Sequence, residues 1–335
     1  MPAFLNGPPG EGPAPRKRAG ALAANLACVF FWGFSFISIK ETVSVFPPMT
    51  LGALRFAVAL VPLWFMMIRL CPGEKFTLGD FPFLAGSGLT GVTFYFFCEN
   101  NGVALVSASE ASIIVAAIPV LTMITEWIAG RVKRRPPGDP ARPGSGLRAR
   151  HWLGALISIG GAALTAGVSL SVSGNNGGYL FMGGAALCWV AYGFLTRPLF
   201  GAPGTSSGGS NRGHSRFFIV FWQNLFGFIG FLPFALLEYP RWGKPDLPAA
   251  LHVLFLGLCC SALGYLFYAY SLELLGVSVS SVFINLIPVV TVIAGFFILG
   301  ERLTVSQGLG ALLVIGGVYL AVLPEKPAPP GRPRE

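Results

Sequence analysis

LGALISIGGAAL, Leu153 to Leu164, returns near the end of the chain as LGALLVIGGVYL, Leu309 to Leu320. Both copies open Leu-Gly-Ala-Leu and both carry Ile-Gly-Gly at the same offset. Two further landmarks repeat in the same order. AAIPVLT (Ala116 to Thr122) returns as NLIPVVT (Asn285 to Thr291), and Cys28 with Trp32-Gly33-Phe34 answers Cys188 with Tyr192-Gly193-Phe194. Each landmark lies in an apolar run, so the pattern reads as a duplicated bundle of membrane-spanning helices. Such duplication places a site between two halves.

Composition points the same way. Of 335 residues 53% are hydrophobic and only 11% charged, with a mean hydropathy of +0.67; a soluble domain carries about 25% charged residues. Crossing about 30 Å of hydrocarbon takes roughly 17 to 25 apolar residues. Runs of that length fall at 21–39, 49–68, 81–104, 107–130, 152–170, 178–197, 217–237, 250–272, 277–299 and 305–323. The expected fold is therefore all-α: a polytopic membrane protein of ten transmembrane helices arranged as two five-helix repeats.

Charge placement sets the orientation. With the N-terminus cytoplasmic, 18 of the 23 Lys and Arg fall in inner segments, four (Lys40, Arg241, Lys244, Arg302) fall outside, and Arg55 sits within a span. This is the positive-inside bias, and an odd number of helices per half makes the repeat an inverted one. Both termini are expected in the cytoplasm of a protein of the cell membrane. The net charge of +9 is then directed at anionic lipid headgroups rather than at nucleic acid. The domain reading is a tail over 1–20, a first repeat over 21–170 and a second over 171–323, with a second tail over 324–335. Residues 131–151 and 201–215 have the Pro, Gly, Ser and Arg content of linkers.

No metal or cofactor site is expected. The six cysteines lie in or at the edge of spans, Cys259 and Cys260 are adjacent rather than spaced for a metal, and the three histidines (His151, His214, His252) sit near span ends. No GxSxG elbow, phosphate-binding loop or dense constellation of His, Asp and Glu is present. A catalytic role, with a lipid-modifying membrane enzyme as its only candidate, has little support, and ATP-driven transport by this chain alone has none.

FFWGFSFISIK, Phe30 to Lys40, followed by Pro47-Pro48 and then LGALRF (Leu51 to Phe56), resembles the opening of the EamA family of the drug/metabolite transporter superfamily. LLGVSVSSVFINLIPVVTVIAGFFILGERLT, Leu274 to Thr304, is similar to the family's second half. The resemblance runs from about 21 to 323. It implies a ten-helix inverted-repeat transporter of small organic solutes, often an exporter of amino acids or other metabolites. One departure is local: the first half has Ala129-Gly130-Arg131-Val132 where the second has Gly300-Glu301-Arg302.

Candidate working residues follow from what membranes tolerate. Pro119 and Pro288 sit mid-helix, and each frees the carbonyl four residues earlier, on Val115 and Ile284. They read either as matched kinks bordering a cavity or as prolines of the ordinary membrane kind. An ionisable group inside a span costs about 2.5 to 3.5 kcal/mol at the bilayer centre, which singles out Arg55, Glu99, Glu110 and Glu126. Arg55 reads as a structural anchor of the second helix, and Glu126 as snorkelling toward Arg131. Tyr95, Glu99 and Asn100 form a deep polar cluster open to three readings: substrate contact, proton relay or interhelical glue. Glu99 and Glu110 are the candidates for coupling to protons. Tyr265 and Tyr268 share a helix face, and Trp32, Tyr192, Gln223 and Asn285 complete the candidate substrate-binding set, with core packing as the alternative for any one aromatic. Gly160, Gly161, Gly316 and Gly317 read as structural, because small residues let helices approach.

The sequence therefore leads to a secondary active transporter, an exporter of a small metabolite working by alternating access around a midplane cavity. A passive facilitator is the nearest alternative.

Overall fold

A computed structural model of the chain describes residues 15–42, 45–105, 114–132, 149–165, 176–200, 213–299 and 304–323. Every regular element among them is helical. The helices are α1 (Pro15–Thr42), α2 (Pro48–Leu70), α3 (Phe81–Gly88), α4 (Tyr95–Leu105), α5 (Ile118–Val132), α6 (Ala149–Thr165), α7 (Asn176–Thr196), α8 (Arg216–Glu238), α9 (Leu247–Phe255), α10 (Gly264–Leu275), α11 (Val277–Val282), α12 (Ile287–Leu299) and α13 (Val305–Val322). Eight helical stretches are long and apolar enough to cross a membrane, and a shorter apolar one covers Ile114–Ala129. The expected spans 107–130 and 152–170 are thus represented by shorter helices that abut residues outside the described set. Glu110, residues 1–14, the second tail and most of the two linkers also lie outside it, whereas residues 15–20, expected as part of the first tail, form the start of α1.

Local chemistry fixes the helix ends. Pro47 in extended conformation hands over to Pro48 at the first turn of α2, where the missing N–H costs nothing. Ser215 caps α8, Asp246 caps α9 by accepting from the Ala249 amide at 2.9 Å, and Thr304 with Gln307 forms a capping box on α13. Gly276, with φ of 82°, is the one-residue joint between α10 and α11. That left-handed backbone favours glycine.

Long-range contacts define the two ends of the bundle. At one end Arg18 donates to the Val322 carbonyl at 2.7 Å, Arg216 meets Glu273 at 2.7 Å, and Arg197 meets Glu126 at 3.3 Å; we call this the basic end. At the opposite end Thr50 donates to Glu238 through both its amide and its hydroxyl, at 2.8 and 2.9 Å, and the Trp242 indole donates to the Thr50 hydroxyl.

The most extensive helix pairing joins α6 and α13, the two copies of the LGAL repeat. Their backbones meet through glycine. A Cβ on Gly154 would lie 2.5 Å from the Gly317 carbonyl, and one on Gly161 would lie 2.6 Å from the Val314 amide. Only part of the glycine expectation fits this geometry. Gly161 and Gly317 lie in the contact, together with Gly154 and Gly310, whereas Gly160 and Gly316 face open space. Helical spacing explains the split, since adjacent residues are turned about 100° apart.

The helix before each mid-helix proline is irregular. A turn at Ala117 interrupts the run before Ile118 and Pro119, and a 3₁₀ stretch over Phe283–Leu286 precedes Ile287 and Pro288. These are the places where the lost amide breaks the regular ladder.

Candidate functional site

At the middle of the bundle six aromatic side chains converge from four helices. Trp32 comes from α1, Tyr95 from α4, Trp189 and Tyr192 from α7, and Tyr265 and Tyr268 from α10. Trp189 is the hub, with ring centroids 5.2 Å from Trp32, 5.1 Å from Tyr95, 5.1 Å from Tyr192 and 5.3 Å from Tyr268. These are the tilted and edge-on separations that aromatic quadrupoles favour. Each pair on one helix is three residues apart, so both rings leave the same face.

The polar tips of the rings are satisfied inward. The Trp189 indole donates to the Tyr268 hydroxyl at 3.2 Å, the Tyr265 hydroxyl to the Gly91 carbonyl at 2.7 Å, and the Trp32 indole to the Cys260 carbonyl at 3.1 Å. Tyr192, Tyr265 and Tyr268 are at most 1% exposed. In this arrangement the rings occupy the centre themselves, and a molecule entering must part them.

Charge lies beside the rings. Tyr95 donates to Glu99 at 2.9 Å, and Glu99 is buried. Arg55, also buried, donates from Nε to the Ser261 hydroxyl at 2.8 Å and holds its guanidinium over the Phe96 ring at 4.8 Å. Arg55 and Glu99 interact through their charges, and a buried carboxylate needs such company to stay in place. The site thus presents one carboxyl group, one guanidinium and a wall of aromatic faces.

Other sequence candidates sit around this centre rather than in it. Gln223 donates to the hydroxyls of Ser87 and Thr196, both at 2.8 Å, tying α8 to α3 and α7, and its carbonyl faces the Tyr192 hydroxyl at 3.5 Å. Asn285 donates to Ser158 at 2.7 Å, linking the 3₁₀ stretch to α6, and Asn100 reaches the Pro48 carbonyl at 3.4 Å. Glu126 makes a cross-bundle contact with Ser278 and Arg197; its anticipated partner Arg131 has a side chain outside the described residues. Sequence reasoning missed Trp189, although its position three residues before Tyr192 was the available signal. It also missed the Ser261 partner of Arg55, for which the sequence carries none.

Outside the spans, at the basic end, His214 lies between two carboxylates, with Glu74 at 3.3 Å and Asp80 at 3.1 Å. Glu74 also accepts from the Ser215 amide at 3.0 Å. The hydrogen bond to Glu74, then that to Asp80, raises the His214 pKa against the opposing pull of burial. For Asp80, burial pushes the pKa up, but hydrogen bonds from Thr77 and His214 outweigh it and hold the carboxyl below its ordinary range.

The family model described as "EamA-like transporter family" matches residues 18–134 and 176–323. The chain belongs to the EamA-like transporter family. It is a multi-pass membrane transporter and not an enzyme, and its relatives are named transporters or efflux pumps. It is similar to an "uncharacterized transporter" of Archaeoglobus fulgidus, 28% identical over 294 residues that cover 88% of this chain and 95% of the other. It is also similar to a "probable amino-acid metabolite efflux pump" of Salmonella typhimurium, 27% identical over 91% of this chain and 95% of that one. A "probable terminal-alkyne amino-acid exporter" of Streptantibioticus cattleyicolor is 24% identical over 91% and 94%. A crystal structure at 18% identity shares this fold, with a TM-score of 0.70 over 90% of this chain and 97% of the other.

Proposed function

We propose that this EamA-like protein is a secondary active exporter of a small organic metabolite, amino acids with planar or apolar side chains foremost. It would work by alternating access between two inverted five-helix repeats, 21–170 and 171–323. The observation that carries the substrate class is the joint placement of Glu99, Arg55 and the aromatic rings: a carboxylate for an ammonium group, a guanidinium cation for a carboxylate and ring faces for the side chain. The names of two relatives, an amino-acid exporter and a metabolite efflux pump, favour the same class. The inverted repeat is supported by the matched irregularities before Pro119 and Pro288 and by the α6–α13 pairing.

In this reading the basic end faces the cytoplasm, both termini lie there, and the protein resides in the cell membrane. Trp32, Tyr95, Glu99, Tyr192, Tyr265 and Tyr268 contact substrate together with Trp189. Gln223, Asn100 and Asn285 line the approach and hold the helices that move. Glu99 carries the coupling proton, and Glu110 is its candidate partner. Contacts tie the halves at both ends, Glu126 to Ser278 and Arg197 at one and Thr50 to Glu238 at the other, and alternating access requires them to open in turn.

The test is counterflow and uptake of a panel of labelled amino acids by the purified protein in liposomes, with and without an imposed proton gradient. Saturable transport that the gradient accelerates is expected. Saturable transport indifferent to the gradient would replace the active mechanism with facilitation, and no transport of any compound would remove the amino-acid reading.

A further inference from the structure

Two of the rods crossing the bundle are broken by a stretch of π-helix, Leu89–Phe94 between α3 and α4 and Leu256–Leu263 between α9 and α10. At the C-terminal edge of each, an amide reaches back five residues instead of four. The Tyr95 amide is shared between the Thr90 and Val92 carbonyls and passes over that of Gly91, while the Gly264 amide bonds Cys259 and passes over Cys260. Gly91 and Cys260 are 169 residues apart, the same spacing as Pro119 and Pro288. The two bypassed carbonyls therefore occupy equivalent places in the repeat.

Both carbonyls are bonded by rings of the aromatic cluster, and each ring comes from the other half. The Tyr265 hydroxyl donates to Gly91 at 2.7 Å, and the Trp32 indole donates to Cys260 at 3.1 Å. Contact with the backbone follows the same crossing. A Cβ on Gly91 would meet the Tyr192 ring at 2.2 Å, and one on Gly264 would meet the Trp32 indole nitrogen at 2.8 Å. Trp32 and Tyr192 are the matched aromatics of the repeated Trp-Gly-Phe and Tyr-Gly-Phe landmarks. Tyr265 lies in the first turn after the second π stretch while bonding the first.

We propose that the two π stretches are paired hinges of the alternating-access motion, and that Trp32, Tyr192 and Tyr265 are positioning residues that couple occupancy of the aromatic box to both hinges. This inference rests on the transporter reading above. Its physical basis is that a π turn leaves a carbonyl to be satisfied from outside the helix, which is costly to forgo in hydrocarbon. A ring moved aside by substrate withdraws that bond. The backbone then regains it by returning to α register, which turns the remainder of the helix by about 100° relative to the preceding part. The tyrosine that spans both stretches makes the two changes concerted.

The experiment is hydrogen–deuterium exchange on the full chain in lipid nanodiscs without substrate. It compares wild type with Trp32→Phe, which keeps a ring and removes the donor, and with Gly91→Ala, which displaces the Tyr192 ring. Trp32 touches only the second π stretch and Gly91 lies only in the first. Coupled hinges predict that Trp32→Phe raises exchange about fivefold in the remote stretch Leu89–Phe94, and that Gly91→Ala does so in Leu256–Leu263. Faster exchange confined to the stretch each substitution touches, or none, overturns the proposal. Either variant suffices if the other fails to fold. Because no transport is measured, a protein that moves none of the amino acids yet shows remote exchange keeps the hinges and loses the substrate reading. One that transports but shows only local exchange loses the hinges alone.

Discussion

The Tyr95 hydroxyl donates to the Glu99 carboxylate at 2.9 Å, one helical turn along α4, and both groups are turned into the bundle beside the guanidinium of Arg55. A buried acid held by one phenol and one nearby cation is placed both to accept a proton and to meet an ammonium group.

Glu99→Gln is expected to abolish acceleration by a proton gradient in liposomes, lowering gradient-driven transport at least tenfold while leaving exchange of substrate across the membrane measurable. Tyr95→Phe removes one hydrogen bond worth about 1 kcal/mol and is expected to reduce the same rate by about fivefold. Full gradient response in Glu99→Gln would assign the coupling elsewhere.

Glu126 joins α5 to Ser278 of α11 and to Arg197 beyond α7. Glu126→Gln should loosen the basic end, and a cysteine introduced at the buried position Ser281 should react several-fold faster with a membrane-impermeant maleimide. Unchanged labelling would mean that this contact does not close the basic end.

His214 gives a pH dependence with a definite sign. Its raised pKa means that its contribution to stability is complete below the ordinary histidine value of 6.5 and is lost as the pH rises through the raised value. Asp80, held below its usual range, contributes above the ordinary carboxylate range and loses that contribution as the pH falls through its lowered value. The thermal-stability gap between wild type and His214→Ala should therefore be widest between the ordinary carboxylate range and pH 6.5, and shrink as the pH rises through the raised histidine value. Partial exposure to solvent limits it to about 1 kcal/mol or less. Differential scanning fluorimetry in detergent across that range measures it.

Adjacent glycines on α6 should respond oppositely to the same change. Gly161→Ala drives a methyl to 2.6 Å from the Val314 amide and 2.7 Å from the Gly310 carbonyl and is expected to cost about 1 to 3 kcal/mol. Gly160→Ala meets nothing within 4 Å and should be neutral or gain about 0.5 to 1 kcal/mol of helix stability. Melting temperatures of the two variants decide the matter.

Much of the architecture was legible because a membrane imposes few solutions. Apolar run length marked the eight stretches long enough to span and the shorter one over Ile114–Ala129, and the LGAL repeat marked the two helices that pack as α6 and α13. The aromatic centre was partly legible: helical spacing put Tyr265 beside Tyr268, but nothing in the sequence says that both meet Trp189 across the bundle. Gln223 and Asn285 show the limit. Their polarity marks them as noteworthy, and only the fold reveals that their donors are taken up by Ser87, Thr196 and Ser158. The π stretches left no trace either, because one extra residue in a helix changes hydrogen-bond register without changing hydrophobic period enough to be seen.

The glycine contact between α6 and α13 also orders events during synthesis. The surface of α6 that accepts α13 is finished when Thr165 is made, yet its partner begins only at Val305, about 140 residues later. At about 5 to 20 residues per second that is an interval of roughly 7 to 28 seconds. Through that interval lipid tails must stand in for the last helix, so the chain's final stretch displaces lipid from a groove prepared well before it.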